Sequence, residues 1–337
     1  MDPRELGEFG LIAAIRRLAG RRHPQWRVAI GDDAAVLAPK RGEELVLTTD
    51  ALVEDVHFRW RTTDARSLGH KALAVNLSDV GAMGARPLGF LLTLFLPARV
   101  DGARLDGFFA GLLRLARASE CPLVGGDITR ATHFAASITA IGAVARGRAL
   151  LRSAARPGDR IFVTGELGGA AAGLRLLEGP GARSAAERRL VRRQVAPRPP
   201  WGVGAELVRL RVARAAIDVS DGLAQDLGHV LRESGVGARI ELERLPLAPG
   251  LARAARRLGA DPLALALAGG EDYELLFSAP RSAPSAAVLT RRLRCRVTEL
   301  GVITAQHRLV FTRAGRPVAP LARGFEHFKA SPTGSEK

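Results

Sequence analysis

The sequence predicts an α/β or α+β protein that is divided into two domains. Its 337 residues are enough for two cores of ordinary size. Short runs rich in Val, Ile and Leu alternate with segments in which apolar residues recur at helical spacing. That alternation is typical of sheets covered by helices. A turn signal at 157–159, where Pro and Gly follow each other, marks the boundary between the halves.

The elements of the first half follow from these patterns. A helix is predicted over 8–19, where apolar residues such as Phe9 and Ile12 recur every three or four positions. Apolar runs bounded by small polar residues predict strands, and two longer segments have helical character. The predicted strands are 28–30, 45–47, 90–96 and 137–144, and the predicted helices are 67–80 and 103–119.

The second half begins after an Arg-rich segment, 145–159. We place the first domain at 1–148 and the second at 149–328. The small, polar segment 329–337 is interpreted as a disordered tail. The predicted elements are a strand at 160–164, helices at 169–177 and 204–210 on either side of a Pro-rich connector at 196–200, and strands at 215–219, 239–242, 273–278 and 296–302.

The net charge of +16 raises the question of nucleic-acid binding. Clustered cations release counterions from a phosphate backbone and so bind it strongly. The 50 basic residues are spread along the chain, however, and all but four are Arg. No basic tail or strand with interleaved aromatic residues accompanies them. We therefore expect no nucleic-acid partner and interpret the charge as a mostly solvated surface that attracts anionic substrates.

The chain reads as a soluble, cytoplasmic protein. Cys121 and Cys295 lie far apart and lack the spacing of metal ligands, so reduced thiols are expected. The longest apolar stretch, 90–98, is about half the length of a membrane-spanning helix. The first residues lack the apolar core of a signal peptide.

Aspartates recur where apolar runs end. A single Asp after a strand is a common turn residue or helix N-cap. Several such segments together favour a cluster of carboxylates that needs cations to hold it together. Oxygen ligands without a Cys or His pair suit Mg²⁺, which usually also binds substrate phosphates, so the pattern indicates phosphoryl transfer. The segments are 30–33, 47–50, 76–79, 123–127 and 217–221.

Glycines accompany this pattern. Pairs of glycines precede acidic residues at 125–127 and 269–272, where the backbone can approach a ligand closely. The chain has neither the GxxxxGK[ST] sequence of P-loop enzymes nor the VAIK, HRD and DFG sequences of protein kinases. The Gly-rich turn at 165–169 fits either a phosphate-binding loop at a helix start or a tight strand-to-helix turn, and the sequence leaves both open.

At these segments the sequence resembles the thiamine-monophosphate kinases. The resemblance runs in family order through nearly the whole chain, from Gly7 to Phe328. It implies the fold of aminoimidazole ribonucleotide synthetase and selenophosphate synthetase. In that fold an N-terminal sheet domain dimerises and binds ATP and Mg²⁺, and a C-terminal α/β domain packs beside it. The matching strings are GEFGLI at 7–12, IGDDAAV at 30–36, TTDALVEDVHF at 48–58, KALAVNLSDVGAMGARP at 71–87, GGDITR at 125–130, IDVSDGLAQDLGH at 217–229 and GGEDYELLF at 269–277.

The resemblance also implies an activity and a set of site residues. The activity is direct in-line transfer of the ATP γ-phosphate to thiamine monophosphate, the last step of thiamine diphosphate biosynthesis. Because the acceptor is an ionised phosphate, we expect no nucleophile or general base from the protein. A requirement for K⁺ and the number of Mg²⁺ ions stay open. The implied Mg²⁺ ligands are Asp33, Thr48, Thr49, Asp50, Asp79, Asp127, Asp218 and Asp221, the ATP contacts are Gly126, Asp127, Arg152 and Ser220, and the substrate contacts are His57, Glu271 and Phe325.

Other members of the same superfamily are the nearest alternatives. A selenophosphate synthetase needs a reactive Cys or selenocysteine near its N-terminus, whereas the first cysteine here is Cys121. Aminoimidazole ribonucleotide synthetase shares the architecture but not the strings at 48–58 and 269–277 in these forms. A hydrogenase-maturation relative needs a C-terminal Cys, where this sequence has Lys337. The alternative from another class is a nucleic-acid-binding protein, which predicts strongly salt-dependent binding and no ATP turnover.

Overall fold

A computed structural model of the chain describes residues 1–20 and 24–318. The first half folds into a four-stranded sheet, helices that pack on it and a small hairpin. In chain order the elements are α1 (Pro3–Ala19), β1 (Trp26–Val28), β2 (Val36–Leu37), β3 (Glu43–Val53), α2 (Ala65–Ala82), β4 (Arg86–Pro97), α3 (Gly102–Ala118), β5 (Leu123–Ala131) and β6 (Ala135–Ala145).

The four-stranded sheet has the order β3-β6-β4-β5, in which β4 and β5 run parallel and the other neighbours antiparallel. Helices α2 and α3 cover one face and form a core with residues such as Phe90. The hairpin of β1 and β2 covers part of the opposite face through Trp26. The rest of that opposite face, which carries Leu47, Thr49 and Asp127, is named the open face; Leu47 is 64% exposed there.

The second half forms a seven-stranded sheet with helices on both faces. A 3₁₀ turn at Arg152–Ala154 leads into it. The elements are β7 (Arg160–Thr164), α4 (Gly169–Glu178), α5 (Ala185–Val195), α6 (Trp201–Leu210), β8 (Ala216–Asp218), α7 (Leu223–Ser234), β9 (Gly237–Glu241), α8 (Leu251–Leu258), α9 (Pro262–Ala268), β10 (Leu275–Ala279), α10 (Ala286–Leu293), β11 (Val297–Thr304), β12 (Leu309–Arg313) and β13 (Arg316–Val318).

This larger sheet has the order β13-β12-β9-β11-β7-β10-β8, and only the β9–β12 pair is parallel among its described strands. Side chains alternate between its two cores because successive residues of a strand point to opposite faces. Ile161 and Val163 of β7 lie in one core with α7. Phe162 lies in the other, where its ring stacks on Phe277 with centroids 5.2 Å apart. The sheet that carries Asp218 at the end of β8 is therefore buried on both sides.

Helix α2 lies between the two halves, and this explains why nearly all of it is buried. Glycines allow its neighbours to come close. A Cβ on Gly69 would lie 1.9 Å from the carbonyl oxygen of Phe108 in α3. A Cβ on Gly81 would lie 2.8 Å from the Cα of Trp201, the first residue of α6. One helix thus contacts the N-terminal sheet and the second half at once.

The predicted helices and strands agree with the structure more often in type than in their first and last residues. The predicted strand 160–164 has the bounds of β7, and the predicted helices 67–80 and 103–119 correspond to α2 and α3. Strand β3 is longer than the predicted 45–47, and β5 extends through the Gly-Gly-Asp segment, so Asp50 and Asp127 lie within strands. The expectation that each Asp follows a strand was wrong at these two positions.

Two further expectations concern the tail and the possibility of a membrane-spanning helix. The predicted tail 329–337 lies outside the described residues. Across 1–20 and 24–318, we find no helix with the length and apolar character needed to cross a membrane.

Candidate active site

Strand β3 and helix α2 supply the first part of the site. Thr48 and Asp50 are two positions apart on β3, so their side chains share the sheet face that α2 covers. Asp79 lies in the last turn of α2, and its Oδ2 accepts a hydrogen bond of 2.6 Å from Thr48 Oγ1. The carboxyl of Asp50 hydrogen-bonds with that of Asp79. Strand and helix thus direct two carboxyls to one point.

The second half of the chain adds a third carboxyl. Asp218 ends β8 and is 5% exposed. Its Oδ2 accepts a hydrogen bond of 2.7 Å from Oγ of Ser78, the residue before Asp79. Asp50, Asp79 and Asp218 are named the inner carboxyl cluster. Because its members come from both sheets, the cluster exists only when the two halves are packed together.

Burial raises the pKa of every member of the inner carboxyl cluster, and repulsion between carboxylates adds to the shift at Asp50 and Asp218. The pKa of Asp218 is raised to about 8, first by burial and then by the charge of Asp79. Loss of hydration and the charge of Asp79 raise the pKa of Asp50 to about 6. Burial raises the pKa of Asp79, although the Thr48 hydrogen bond and the Arg152 charge oppose the shift. The cluster therefore binds protons near neutral pH unless another cation replaces them.

The donors gathered here fit Mg²⁺. The carboxylate oxygens of the cluster and the hydroxyl of Thr48 are hard oxygen ligands, which magnesium prefers. A divalent cation would relieve the repulsion that raises the pKa values of Asp50 and Asp218. Both the chemistry of the donors and their electrostatics therefore support a magnesium site at the domain boundary.

A loop after β8 carries Ser220 and Asp221, and Asp226 determines its shape. The Asp226 carboxylate, in the first turn of α7, accepts hydrogen bonds of 3.0 Å from the backbone nitrogens of both Asp221 and Gly222. Burial, followed by the charge of Asp221, raises the pKa of Asp226 to about 7. Ligand atoms of Asp221, Asp226 and His229 lie within 4.8 Å of one another. The charge of Asp226 also acts to raise the pKa of Asp218, so this loop lies within electrostatic reach of the inner carboxyl cluster.

Arg152 lies within electrostatic reach of both groups. It is exposed on the 3₁₀ turn, and its carbonyl oxygen accepts a hydrogen bond of 2.7 Å from Ser234 Oγ. Its charge acts to lower the pKa of Asp79 in one group and the pKa of His229 in the other, although burial is the larger cause at His229. The position allows the guanidinium to meet an anion that approaches the carboxyls.

The GGEDY segment folds against the loop after β8. Glu271 and Tyr273 both have positive φ, +66° and +50°. The backbone nitrogen of Glu271 donates to the Ser220 carbonyl at 2.7 Å, and that of Tyr273 donates to Val219 at 2.8 Å. The Glu271 carboxylate also forms an ion pair of 2.7 Å with Lys71 of α2. The segment therefore joins the expected ATP contact Ser220 to the expected substrate contact Glu271.

Tyr273 lies within electrostatic reach of the whole site. Burial raises its pKa well above the ordinary value, and the carboxylates of Glu271 and of the inner carboxyl cluster raise it further. The phenol thus stays protonated among acidic groups and can donate a hydrogen bond to one of them or to a ligand.

The neighbouring Asp272 binds the backbone nitrogens of the Gly-rich turn at 165–169, which decides between its two interpretations. Its carboxylate accepts hydrogen bonds from the backbone nitrogens of Gly168 (2.6 Å) and Ala170 (3.2 Å) at the start of α4. Burial raises the pKa of Asp272 to about 7. Because a carboxylate of the protein takes these donors, the turn is a capped strand-to-helix connection, and of the two interpretations the phosphate-binding loop is excluded.

Thr49 and Asp127 lie apart from the inner carboxyl cluster, on the open face. Thr49 Oγ1 donates to the Ile138 carbonyl at 3.1 Å and accepts from Thr139 Oγ1 at 3.2 Å. Asp127 pairs across the sheet with Thr93 and is exposed. Gly126 beside it has a φ of +150°, and a Cβ there would lie 1.8 Å from the Leu92 carbonyl oxygen. A side chain at position 126 is therefore incompatible with this pairing.

Two of the remaining expected site residues, Asp33 and His57, lie at the edges of the N-terminal domain. Asp33 is exposed in the turn before β2, and its backbone nitrogen donates to the side chain of Asp32 at 3.0 Å. His57 follows β3, where its Nδ1 accepts a hydrogen bond of 3.1 Å from the backbone nitrogen of Val53. Phe325 lies outside the described residues.

Sequence analysis assigned no role to five residues that the structure places in the site. For four of them the sequence contained a feature that could have identified them. Lys71 is one of only four lysines in a chain with 50 basic residues, and Tyr273 is its single tyrosine. Ser78 and Asp226 lie inside the matching strings at 71–87 and 217–229. Gln194 of α5, which hydrogen-bonds to Glu271, has no such mark because its partner is far away in the sequence.

Family models match both halves of the chain. Residues 31–144 match AIR synthase related protein, N-terminal domain, and residues 156–313 match AIR synthase related protein, C-terminal domain. Together with the carboxyls at the domain boundary, these matches define the class: a two-domain protein of the AIR synthase related group. The predicted fold class is thereby confirmed.

Similarity to individual proteins identifies a narrower family within this group. Thiamine-monophosphate kinase of Escherichia coli (strain K12) is 41% identical over 326 residues, which are 96% of this chain and 98% of that relative. The crystal structure of thiamine-monophosphate kinase from Stenotrophomonas maltophilia K279a has a TM-score of 0.82 and 38% identity, and the match covers 93% of this chain and 98% of that one. A structure of AaThiL complexed with AMPPCP and TMP has a TM-score of 0.76 and 34% identity, with 97% and 99% covered. The chain belongs to the thiamine-monophosphate kinase family.

Proposed function

We propose that this chain is a thiamine-phosphate kinase, which transfers the γ-phosphate of ATP directly to thiamine monophosphate and forms thiamine diphosphate. The observation that carries the proposal is the inner carboxyl cluster, which both domains build in a chain of this family. The reaction is the last step of thiamine diphosphate biosynthesis, and we propose the cytoplasm as its location.

Magnesium would be held by the inner carboxyl cluster with Thr48 and Asp221. When bound, it neutralises the charge of the two phosphates that must approach each other. The proposed ligand set also includes Asp33, Thr49 and Asp127, which belong to the turn before β2 and to the open face. A stimulation by K⁺ belongs to the same proposal and is tested by omitting K⁺ from the assay.

The chain's own groups bind and orient the substrates. Arg152 is positioned to donate a forked pair of hydrogen bonds to phosphate oxygens of ATP. Gly126 and Ser220 are the other nucleotide contacts that the family resemblance implies. Because the acceptor phosphate is already ionised, positioning and charge neutralisation supply the catalysis, and no residue is assigned as nucleophile or general base.

Glu271 and His57 are the proposed contacts to thiamine monophosphate, with Phe325 as a third. The backbone nitrogen of Glu271 donates a hydrogen bond to the Ser220 carbonyl, which supports a short distance between the two substrates. TMP is bound together with AMPPCP in the AaThiL structure. We propose the same pairing of ATP and thiamine monophosphate for this chain.

A homodimer through the N-terminal domain is the proposed assembly. Its support is the open face and the adjoining edge strand β3, where Leu45 and Leu47 are exposed. Exposed apolar side chains on an unpaired edge are unusual unless a partner covers them. A dimer would also bring Thr49 and Asp127 to the interface. Sedimentation of the full chain tests the assembly, and a monomer at all concentrations contradicts it.

The function is tested by following ADP and thiamine diphosphate in one assay with ATP and Mg²⁺. We expect thiamine diphosphate equal in amount to ADP, dependent on thiamine monophosphate and abolished by EDTA. Asp50→Asn should lower kcat at least about a hundredfold, because it removes a carboxyl of the cluster. ATP binding or hydrolysis without thiamine diphosphate would contradict the substrate, and the absence of nucleotide binding would contradict the site.

A further inference from the structure

Lys71 is a buried cation at the boundary between the domains. It lies in α2, its side chain is 3% exposed, and its Nζ is 2.7 Å from Oε1 of Glu271. A lysine ammonium is costly to remove from water unless a partner compensates it. Here the partner comes from the other domain. Helix stability alone does not explain why a buried lysine pairs with a glutamate of the other domain.

The Glu271 carboxylate is held at both oxygens. Lys71 contacts Oε1, and Nε2 of Gln194, a buried residue of α5, donates a hydrogen bond to Oε2. The backbone is held as well, since the nitrogen of Glu271 donates to Ser220 at 2.7 Å and φ is +66°. These contacts come from three separate segments, so the direction of the carboxylate is fixed by the packing of both domains.

The held carboxylate remains partly accessible. The Glu271 side chain is 29% exposed, in contrast to the 3% of Lys71. A carboxylate has about four lone-pair positions, and two contacts leave capacity for a ligand. Glu271 and the inner carboxyl cluster both act on Tyr273, so the carboxylate belongs to the same part of the site. The Lys71 ammonium on the buried side compensates the Glu271 charge there.

We propose that Lys71 is a positioning residue for thiamine monophosphate: with Gln194, it fixes the Glu271 carboxylate in the direction that the substrate meets. This inference rests on the proposed function, in which Glu271 contacts the substrate. Lys71 itself does not touch ATP or the acceptor. Its removal should therefore weaken the binding of one substrate and leave that of the other nearly unchanged.

The test measures kcat and both KM values for the full-length wild type, Lys71→Met and Gln194→Met. We expect Lys71→Met to raise the KM for thiamine monophosphate about tenfold or more, with the KM for ATP changed less than about twofold. Gln194→Met should give the same pattern at about threefold, since it removes a neutral hydrogen bond. Lys40→Met is the control, because Lys40 is exposed in the loop before β3.

A double-mutant cycle separates positioning from a general structural role. In the Glu271→Gln background, Lys71→Met should raise the KM for thiamine monophosphate less than about threefold further, because the group that it positions is already lost. A full tenfold rise in that background, or equal rises of both KM values, overturns the proposal. If Lys71→Met does not fold, an unchanged KM in Gln194→Met overturns it. A wild type that forms no thiamine diphosphate contradicts the proposed function, which is a separate outcome.

Discussion

At the scale of single residues, the chemistry of this chain is carried by carboxyl groups in unusual surroundings. Asp218 is buried beneath two other carboxyls, and Asp226 and Asp272 are used to hold backbone nitrogens. The pKa of each is raised by burial, although hydrogen bonds oppose the shift. The folded protein therefore keeps protons on acids that would be ionised in the unfolded chain at neutral pH.

A pH dependence of stability follows from these residues. The folded pKa of Asp218 is about 8 against an ordinary value of 3.8, so between these limits the folded state binds more protons than the unfolded state. The stabilisation is complete below about pH 4 and is lost as the pH rises through about 8. Asp226 and Asp272, with pKa values of about 7, act in the same direction. We expect the free energy of unfolding in EDTA to fall between about pH 5 and about pH 8.

Urea unfolding at several pH values measures this effect. Asp218→Asn should flatten the decline, because the amide does not titrate, and Mg²⁺ should restore stability at the alkaline end by binding the folded state. Carboxyls whose pKa is lowered, such as Glu43 and Glu187, act only in more acidic solution. Burial lowers the pKa values of His70 and His229 from 6.5, so these groups act in the opposite direction near pH 6, and the difference between the wild type and Asp218→Asn isolates the carboxyl effect. A stability that rises between pH 5 and 8, or an unchanged slope in Asp218→Asn, contradicts the assignment.

At the scale of elements, the site depends on strands that carry polar residues in unusual places. Strand β7 is predictable from sequence because its apolar residues form an unbroken run that two cores bury. The length of strand β3 is not apparent from the sequence, since an edge strand next to an open face tolerates the polar run at 48–50. The Gly-Gly-Asp of β5 reads as a turn, although its backbone pairs with β4. Local pattern identifies an element best where both of its faces are buried.

Gly126 provides a test at this scale. Gly126→Ala should destabilise the protein by about 2–4 kcal/mol, because a Cβ would lie 1.8 Å from the Leu92 carbonyl oxygen and the φ of +150° disfavours any side chain. Gly202→Ala is the control: Gly202 lies in α6 with nothing within 4 Å of a Cβ, so alanine should be neutral or stabilising. Urea unfolding of both variants decides the matter, and equal stabilities would show that the pairing of β4 and β5 is more tolerant.

At the scale of the whole molecule, α2 joins the two domains through its polar residues as well as its packing. Ser78 bonds to Asp218, and Lys71 pairs with Glu271. Each contact links residues that are more than a hundred positions apart, so no local pattern of sequence predicts it. The strings at 30–36, 48–58, 71–87, 125–130, 217–229 and 269–277 identified the family and most of the candidate residues. The strings do not predict which carboxyls contact each other, because those contacts depend on how the domains pack.

The central claim is that carboxyls from both domains form one magnesium–nucleotide site. Calorimetric titration with AMPPCP in the presence of Mg²⁺ tests it most directly, using the wild type, Asp79→Asn from the first domain and Asp218→Asn from the second. Asp106→Asn, on the surface of α3, is the control. We predict that each cluster variant binds at least about tenfold more weakly, that EDTA abolishes binding, and that the control matches the wild type. Binding by Asp79→Asn and Asp218→Asn with the affinity of the wild type would contradict the account.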